Sequence, residues 1–276
     1  MNEAVSSRLS REHRQEQVLA ILKLEGAVRI AALADAFGVT TETARRDLDE
    51  LARRGLVMRT YGGATGQRSL IDEPDIAARR QARVAERSRI AEHAAGLVTA
   101  GDALMIDCGS TTALFAQSLA KRNLRLTVVT NCLSVATILG SSSNARVVVC
   151  PGDYVAREGG IYGSETVAFV RRYKADKAFI GAGGLTPEGI TDADSLGCWV
   201  KRAMIERSSR TILIMDSSKF EVPQFEQVCP LEDIDDLVCE AAVLPDLILP
   251  LRDAQVQVHV AKPRASADSQ GVATAT

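Results

Sequence analysis

Three short stretches of the 276-residue chain gather hydroxyls, carboxylates and cations at spacings suited to an anion, each after an apolar run that reads as a strand. The first is the run DCGSTT, which holds Asp107, Gly109, Ser110, Thr111 and Thr112. A glycine turn with three hydroxyls at the start of a helix can cradle a phosphate through backbone N–H groups and side-chain donors. The same residue types cap ordinary helices, so the spacing alone leaves both uses open. The second is Asn131 after Thr130, able to cap a helix or to offer donors and an acceptor to a hydroxylated ligand. The third is DSSK, with Asp216 and Lys219, which suits a sugar hydroxyl and its phosphate or else forms a surface ion pair of about 0–1 kcal/mol. Gly152 and Arg157 sit in a stretch, 151–160, read as a flexible loop with one cation. Lys201 opens a helix beside Arg202, where solvent is an equal alternative.

Other chemistries find less support. Asp192 and Asp194 are the only carboxylate pair nearby, and no histidine accompanies them to act as a general base. The run GAGG at 181–184 is half a dinucleotide fingerprint whose spacing fails. Six cysteines at 108, 132, 150, 198, 229 and 239 form no Cys-x-x-Cys pair and lie largely in apolar runs, which reads as buried reduced thiols. The three histidines are scattered, so neither a metal nor a cofactor is expected.

A second constellation lies near the N-terminus. The net charge is −2, yet residues 1–68 carry 11 Lys+Arg against 9 Asp+Glu, and Arg45, Arg46, Arg53, Arg54 and Arg59 fall close together. Around them the pattern predicts three helices, over 11–24, 30–37 and 41–53, then a strand over 56–61 and a tight turn at 62–63. Gly38 supplies the turn between the second and third helices, and Thr40 stands where an N-cap belongs. In the third helix Ala44, Leu48 and Leu51 share one face, while Arg46, Glu42 and Arg53 point away with Thr43 and Arg45 on the flanks. This is the plan of a winged helix-turn-helix, whose outer helix enters a major groove about 12 Å wide. Thr40, Thr41, Thr43, Arg45, Arg46, Arg59 and Tyr61 are the candidate contacts to double-stranded DNA.

The elements that must position the anion-binding stretches come later. After a polar linker over 66–82 interrupted by Pro74, a helix is expected over 84–98. Strands over 103–107, 126–130, 146–150, 177–181, 211–216 and 236–238 then alternate with helices over 112–121, 132–139, 164–173 and 196–208. That alternation predicts an α/β domain with a mostly parallel sheet, and ligands bind outside the carboxyl ends of such strands. The domains expected are therefore 9–65 and 83–243, with a disordered tail over 261–276. The longest apolar runs, such as 103–106, 147–150 and 212–215, fall far short of the roughly 18–20 residues of a membrane span, and no leader pattern precedes them. A cytoplasmic protein without membrane partners is expected.

Together these motifs resemble the DeoR family of bacterial transcriptional regulators. The N-terminal likeness rests on GVTTETARRDL (38–48), Leu51, Gly55 and RTYGGA (59–64). Farther on it rests on IDCGSTT (106–112), VTN (129–131), REGGIYG (157–163), VKRAM (200–204) and DSSKF (216–220). The family usually has Ser at position 40 and Ile at 44, where Thr and Ala stand here. It often has Lys where Arg87 stands, and Gly-Gly where this chain has Pro151-Gly152. The resemblance implies a ribose-5-phosphate-isomerase-like sensor domain behind the DNA-binding domain; a homo-oligomer, dimer or tetramer, is expected because paired recognition helices read repeated half-sites. It implies a repressor of a sugar or polyol catabolic operon, relieved by a phosphorylated sugar or polyol. An activator of the same type, or an isomerase- or deaminase-like enzyme, are the alternatives. Carried over, Asp107, Gly109 to Thr112, Asn131, Asp216 and Lys219 become effector contacts, with Gly152, Arg157 and Lys201 as further candidates. REGGIYG is similar to the segment found in members that respond to glycerol 3-phosphate.

Overall fold

A computed structural model describes residues 10–60, 62–66, 70, 73–141 and 144–262. The first helix, α1 (Arg11–Glu25), starts at Ser10, whose hydroxyl accepts the amide of His13. It buries Val18 and Leu22 against α3, and Arg14 donates from Nε to Asp47 Oδ2 at 2.9 Å to tie the two helices. Between them come a short strand, β1 (Ala27–Arg29), and α2 (Ile30–Phe37). Gly38 ends α2 in the left-handed region, at φ 60°, which lets α3 (Thr41–Arg53) turn away from it. In α2, Ile30, Leu33 and Ala34 are buried whereas Ala31 is exposed.

The wing is a hairpin of β2 (Val57–Thr60) and β3 (Gly63–Gly66), and β1 pairs on the far side of β3 to complete an antiparallel sheet. The expected strand over 56–61 starts one residue later, at Val57, and Gly63 of the expected turn at 62–63 already belongs to β3. A side chain there would collide with Val28, since a Cβ would lie 2.0 Å from its carbonyl oxygen. The strand β1 gave no sequence signal, being only three residues long.

The stretch expected to be a linker carries a helix, α4 (Ile76–Gln81), capped by Asp75, and is followed by α5 (Val84–Gly96). The larger domain then runs β4 (Ala103–Ile106), α6 (Ser110–Ala120), β5 (Leu126–Thr130), α7 (Leu133–Gly140) and β6 (Ala145–Val149). Next come β7 (Asp153–Val155), β8 (Gly160–Tyr162), α8 (Ser164–Val170), β9 (Lys177–Ile180), β10 (Gly184–Thr186) and β11 (Gly189–Asp192). It closes with α9 (Ser195–Glu206), β12 (Thr211–Ile214), β13 (Glu226–Cys229), β14 (Asp236–Cys239), α10 (Pro245–Asp253) and β15 (Gln257–Val260).

Seven strands form one sheet in the order β15-β14-β12-β9-β4-β5-β6, every neighbouring pair parallel. Every residue of β12 and β14 is buried, so both sheet faces are covered there, and after Thr211 and Asp236 the two strands are apolar. Phe115 of α6 stacks on Phe179 of β9 with ring centroids 4.2 Å apart.

Three expectations change. The loop over 151–160 is largely the hairpin β7–β8, whose second strand is buried. Residues beyond 243 are not left over, because α10 leads to β15, which pairs with β14 as an edge of the main sheet. A separate antiparallel sheet, β10-β11-β13, stands beside it. The expected tail lies outside the described residues from 263 onward, as does Tyr61.

Candidate functional site

The outer helix α3 is built to be read from one side. Thr40 Oγ1 accepts the amide of Thr43 at 3.2 Å, and Ala44, Leu48 and Leu51 are buried on the inner face. On the outer face Thr41 is exposed, and Arg45 and Arg46 share Glu42 at 3.2 and 3.3 Å with side-chain exposures of 55% and 76%. Such exposed pairs hold by about 0–1 kcal/mol, so both guanidinium groups remain available to phosphate or a base edge. Arg59 is placed differently: it pairs with Asp49 of α3 at 2.9 Å and donates to the Gly63 carbonyl at 2.7 Å, bracing the wing against the helix.

The second site follows from topology. The chain leaves β4 toward β5 and β6 on one side, then returns as β9 on the other, so β4 and β9 flank a switch point. Crevices at such points are where α/β sheets take ligands. The cavity here is lined by Asp107 to Thr112 after β4, Gly181 and Ala182 after β9, and Met215, Asp216 and Lys219 after β12. Asp192 of β11, Lys201 of α9, Arg87 of α5, Arg79 of α4 and Glu73 complete it.

Charges inside the cavity are paired. Lys201 is buried, with Nζ 3.0 Å from Asp107 Oδ2 and 3.2 Å from Asp192 Oδ2. Burial opposes its charge, but the two carboxylates outweigh burial and hold the ammonium well above the ordinary lysine range. Burial pushes the Asp107 carboxyl up, Asp192 adds to this, and Lys201 acts against it. Arg87 donates from Nε to Asp216 Oδ2 at 2.8 Å and from Nη1 to Ser110 Oγ at 3.0 Å. Arg83 lies 3.3 Å from the other Asp216 oxygen. Glu73 bridges Lys219 at 2.9 Å and Arg79 at 3.4 Å. No side chain caps α6, which starts after Gly109, so its first-turn amides face the cavity uncapped.

The cavity thus gathers Asp107, Gly109, Ser110, Thr111, Thr112, Lys201, Asp216 and Lys219. It leaves out three candidates. Asn131 is fully buried and donates from Nδ2 to the Ile161 carbonyl at 3.1 Å, which anchors β8. Gly152, at φ 138°, packs where a Cβ would meet Thr166 Oγ1 at 2.3 Å. Arg157 is exposed and donates to the Glu73 carbonyl at 2.6 Å. Glu73 and Arg79 were missed, and no local signal marks them. Lys201 could have been placed from its helical spacing, since Gly197 and Met204 on the same face are buried. Among the other features, all six cysteines are buried and free, with Cys108 Sγ 3.1 Å from Cys132 Sγ.

Glu73 and Asp216 also make the fold acid-sensitive. Burial would raise both carboxyls, yet Lys219 and Arg79 bring Glu73 to about 2, and Arg87 with Ser218 brings Asp216 to about 2. Folded-state values below the unfolded ones give stability that is present above the unfolded pKa and lost as pH falls toward the folded one. Urea unfolding should show a loss of about 2–5 kcal/mol between pH 5 and pH 2, and Asp216→Asn should flatten that slope. An equally steep slope in the variant would remove Asp216 from the account.

Comparison with known proteins bears on both sites. A family model described as the DeoR-like helix-turn-helix domain matches residues 14–69. A second, the DeoR C terminal sensor domain, matches residues 82–241 and so more than half of the chain. The chain belongs to the DeoR family. The glycerol-3-phosphate regulon repressor of Escherichia coli (strain K12) is 29% identical over 91% of this DeoR-family chain and 100% of its own length. The L-fucose operon activator of Haemophilus influenzae is 29% identical over 85% of the chain and 93% of its own. Ribose 5-phosphate isomerase A from Methanocaldococcus jannaschii aligns over 49% of this chain and 53% of its own at 17% identity, with a TM-score of 0.36. This DeoR-family protein is a DNA-binding transcriptional regulator with an α/β sensor domain. Among the described residues, no helix is long and apolar enough to cross a membrane.

Proposed function

We propose that this regulator is a cytoplasmic homo-oligomer that represses a sugar or polyol catabolic operon and is released by a phosphorylated sugar or polyol. The observation that carries this reading is the cavity at the β4–β9 switch point, where the uncapped start of α6 meets Arg79, Arg87, Lys201 and Lys219. Helix N-terminal amides and convergent cations suit a phosphate dianion, while Asp107, Asp192 and Asp216 suit sugar hydroxyls. Repression accords with the glycerol-3-phosphate regulon repressor among its relatives. Activation is the second reading, favoured by the L-fucose operon activator. The same cavity supports a sensor over an enzyme, since each of its carboxylates is engaged by a cation and no histidine lines it to act as a base.

A ligand shifts the regulator only by binding the DNA-incompetent state more tightly. Fluorescence anisotropy on DNA from the protein's own upstream region, at fixed salt, with a panel of sugar and polyol phosphates, tests this. One phosphate should weaken operator affinity about 5- to 150-fold while its unphosphorylated parent does not. Operator binding that no phosphate alters would end the sensor reading and leave the DNA-binding half intact. Transcription that rises with the regulator bound would exchange repressor for activator.

A further inference from the structure

The cavity already holds an anion, and that anion comes from the chain itself. Asp107, Asp192 and Asp216 stand at or just past the ends of β4, β11 and β12, fixed to the sheets. Glu73 alone among the lining carboxylates comes from outside them, from the stretch that joins the wing to α4. Its side chain is nonetheless 7% exposed, and its carboxylate spans Lys219 Nζ at 2.9 Å and Arg79 at 3.4 Å. Arg157 holds its carbonyl from outside at 2.6 Å. With Glu73 in place the free space is about 40 Å3. That volume admits water and is far below the roughly 300–1,000 Å3 of a small-ligand site.

The charge balance points the same way. On the lining, Arg79, Arg87, Lys201 and Lys219 face Glu73, Asp107, Asp192 and Asp216, while Glu158 pairs with Arg79 and Arg83 with Asp216 from behind it, so cations and carboxylates match. Adding a phosphate to this set would leave an anion unmatched in a buried site, an unfavourable arrangement. Exchanging Glu73 for a phosphate dianion adds one negative charge where simple addition adds two, and it vacates the space at the same time. We propose that Glu73 is an intramolecular stand-in for the effector phosphate, seated on Lys219 and Arg79, and that a phosphorylated ligand binds by displacing it. This rests on the cavity being the effector site, as argued above. Because Glu73 lies a short stretch after β3, its seating fixes where the chain from the DNA-binding domain meets the sensor. Displacement frees that point, which couples occupancy of the cavity to the placement of α3.

Hydrogen exchange on the full-length wild-type protein, with inorganic phosphate as the probe and chloride at matched ionic strength as control, separates the two ideas. In the seated form the Ile76 amide donates to the Arg157 carbonyl at 2.8 Å. Phosphate should slow exchange at Ser110 to Thr112 and speed it at Asp75 and Ile76. Slowing at both places would keep the cavity as a phosphate site and overturn the stand-in. No change at Ser110 to Thr112 would overturn both. Glu73→Gln gives a second reading: it keeps the shape, removes the charge, and should bind inorganic phosphate at least tenfold more tightly by calorimetry. Equal affinity in a folded variant would overturn the proposal, and the wild-type exchange experiment decides it if the variant does not fold.

Discussion

Replacing Lys201 with methionine is expected to destabilise the sensor domain by about 3–5 kcal/mol at neutral pH. The lysine sits between Asp107 and Asp192 at 3.0 and 3.2 Å, and all three side chains are buried. Removing the cation leaves two buried carboxylates facing each other without the ammonium that sits between them. The Asp107 carboxyl, already raised by burial, would rise further without Lys201. A carboxyl whose folded pKa is raised gives stability that is present below its unfolded pKa and is lost as pH rises through the folded one. The deficit of the variant should therefore be larger at pH 8 than at pH 5.5. Urea unfolding at the two pH values measures it, and a loss under about 1 kcal/mol at both would show that the triad does not hold the site together.

The second large effect belongs to the other domain. Arg46→Ala should weaken operator binding by about 1–3 kcal/mol, a loss of roughly 5- to 150-fold, without changing phosphate binding by the sensor. The side chain is 76% exposed and pairs with Glu42 across the helix surface, so its loss should leave folding intact. Anisotropy measured across a salt series also says what Arg46 touches. A contact to a guanine edge leaves the salt slope unchanged and relaxes preference at one base pair, whereas a contact to phosphate lowers the slope by about 0.9. Unchanged affinity in the folded variant would take Arg46 out of the interface.

The winged helix-turn-helix was legible because its signals are local. Gly38, Thr40 and the 44–48–51 stripe each act within a turn or two, and each does in the structure what its residue type favours. The strand ends were legible for the same reason, since an apolar run followed by a glycine and hydroxyls announces a βα turn. Three-residue strands such as β1, β7 and β10 were not, because no period can show in so short a run. Glu73 illustrates the deeper limit. In the sequence it is one acid before a proline in a polar stretch, and it becomes buried through Lys219, 146 residues later. Asn131 shows the converse, a motif residue that lies outside the cavity lining and whose Nδ2 donates to the backbone of β8.

The strand order carries a consequence for how the molecule is made on the ribosome. The DNA-binding domain has its own apolar core, built from residues between Val18 and Ala64, and it can close as soon as the wing has emerged. The sheet of the sensor instead begins in its interior at β4, grows first toward β6, and leaves the other edge of β4 open until β9 arrives. Lys219 and Asp216 follow β12 and come later still. A message cut short ahead of β12 would therefore encode the DNA-reading head together with the first turn of α6 and Lys201, but without the Asp216 and Lys219 wall of the anion cavity.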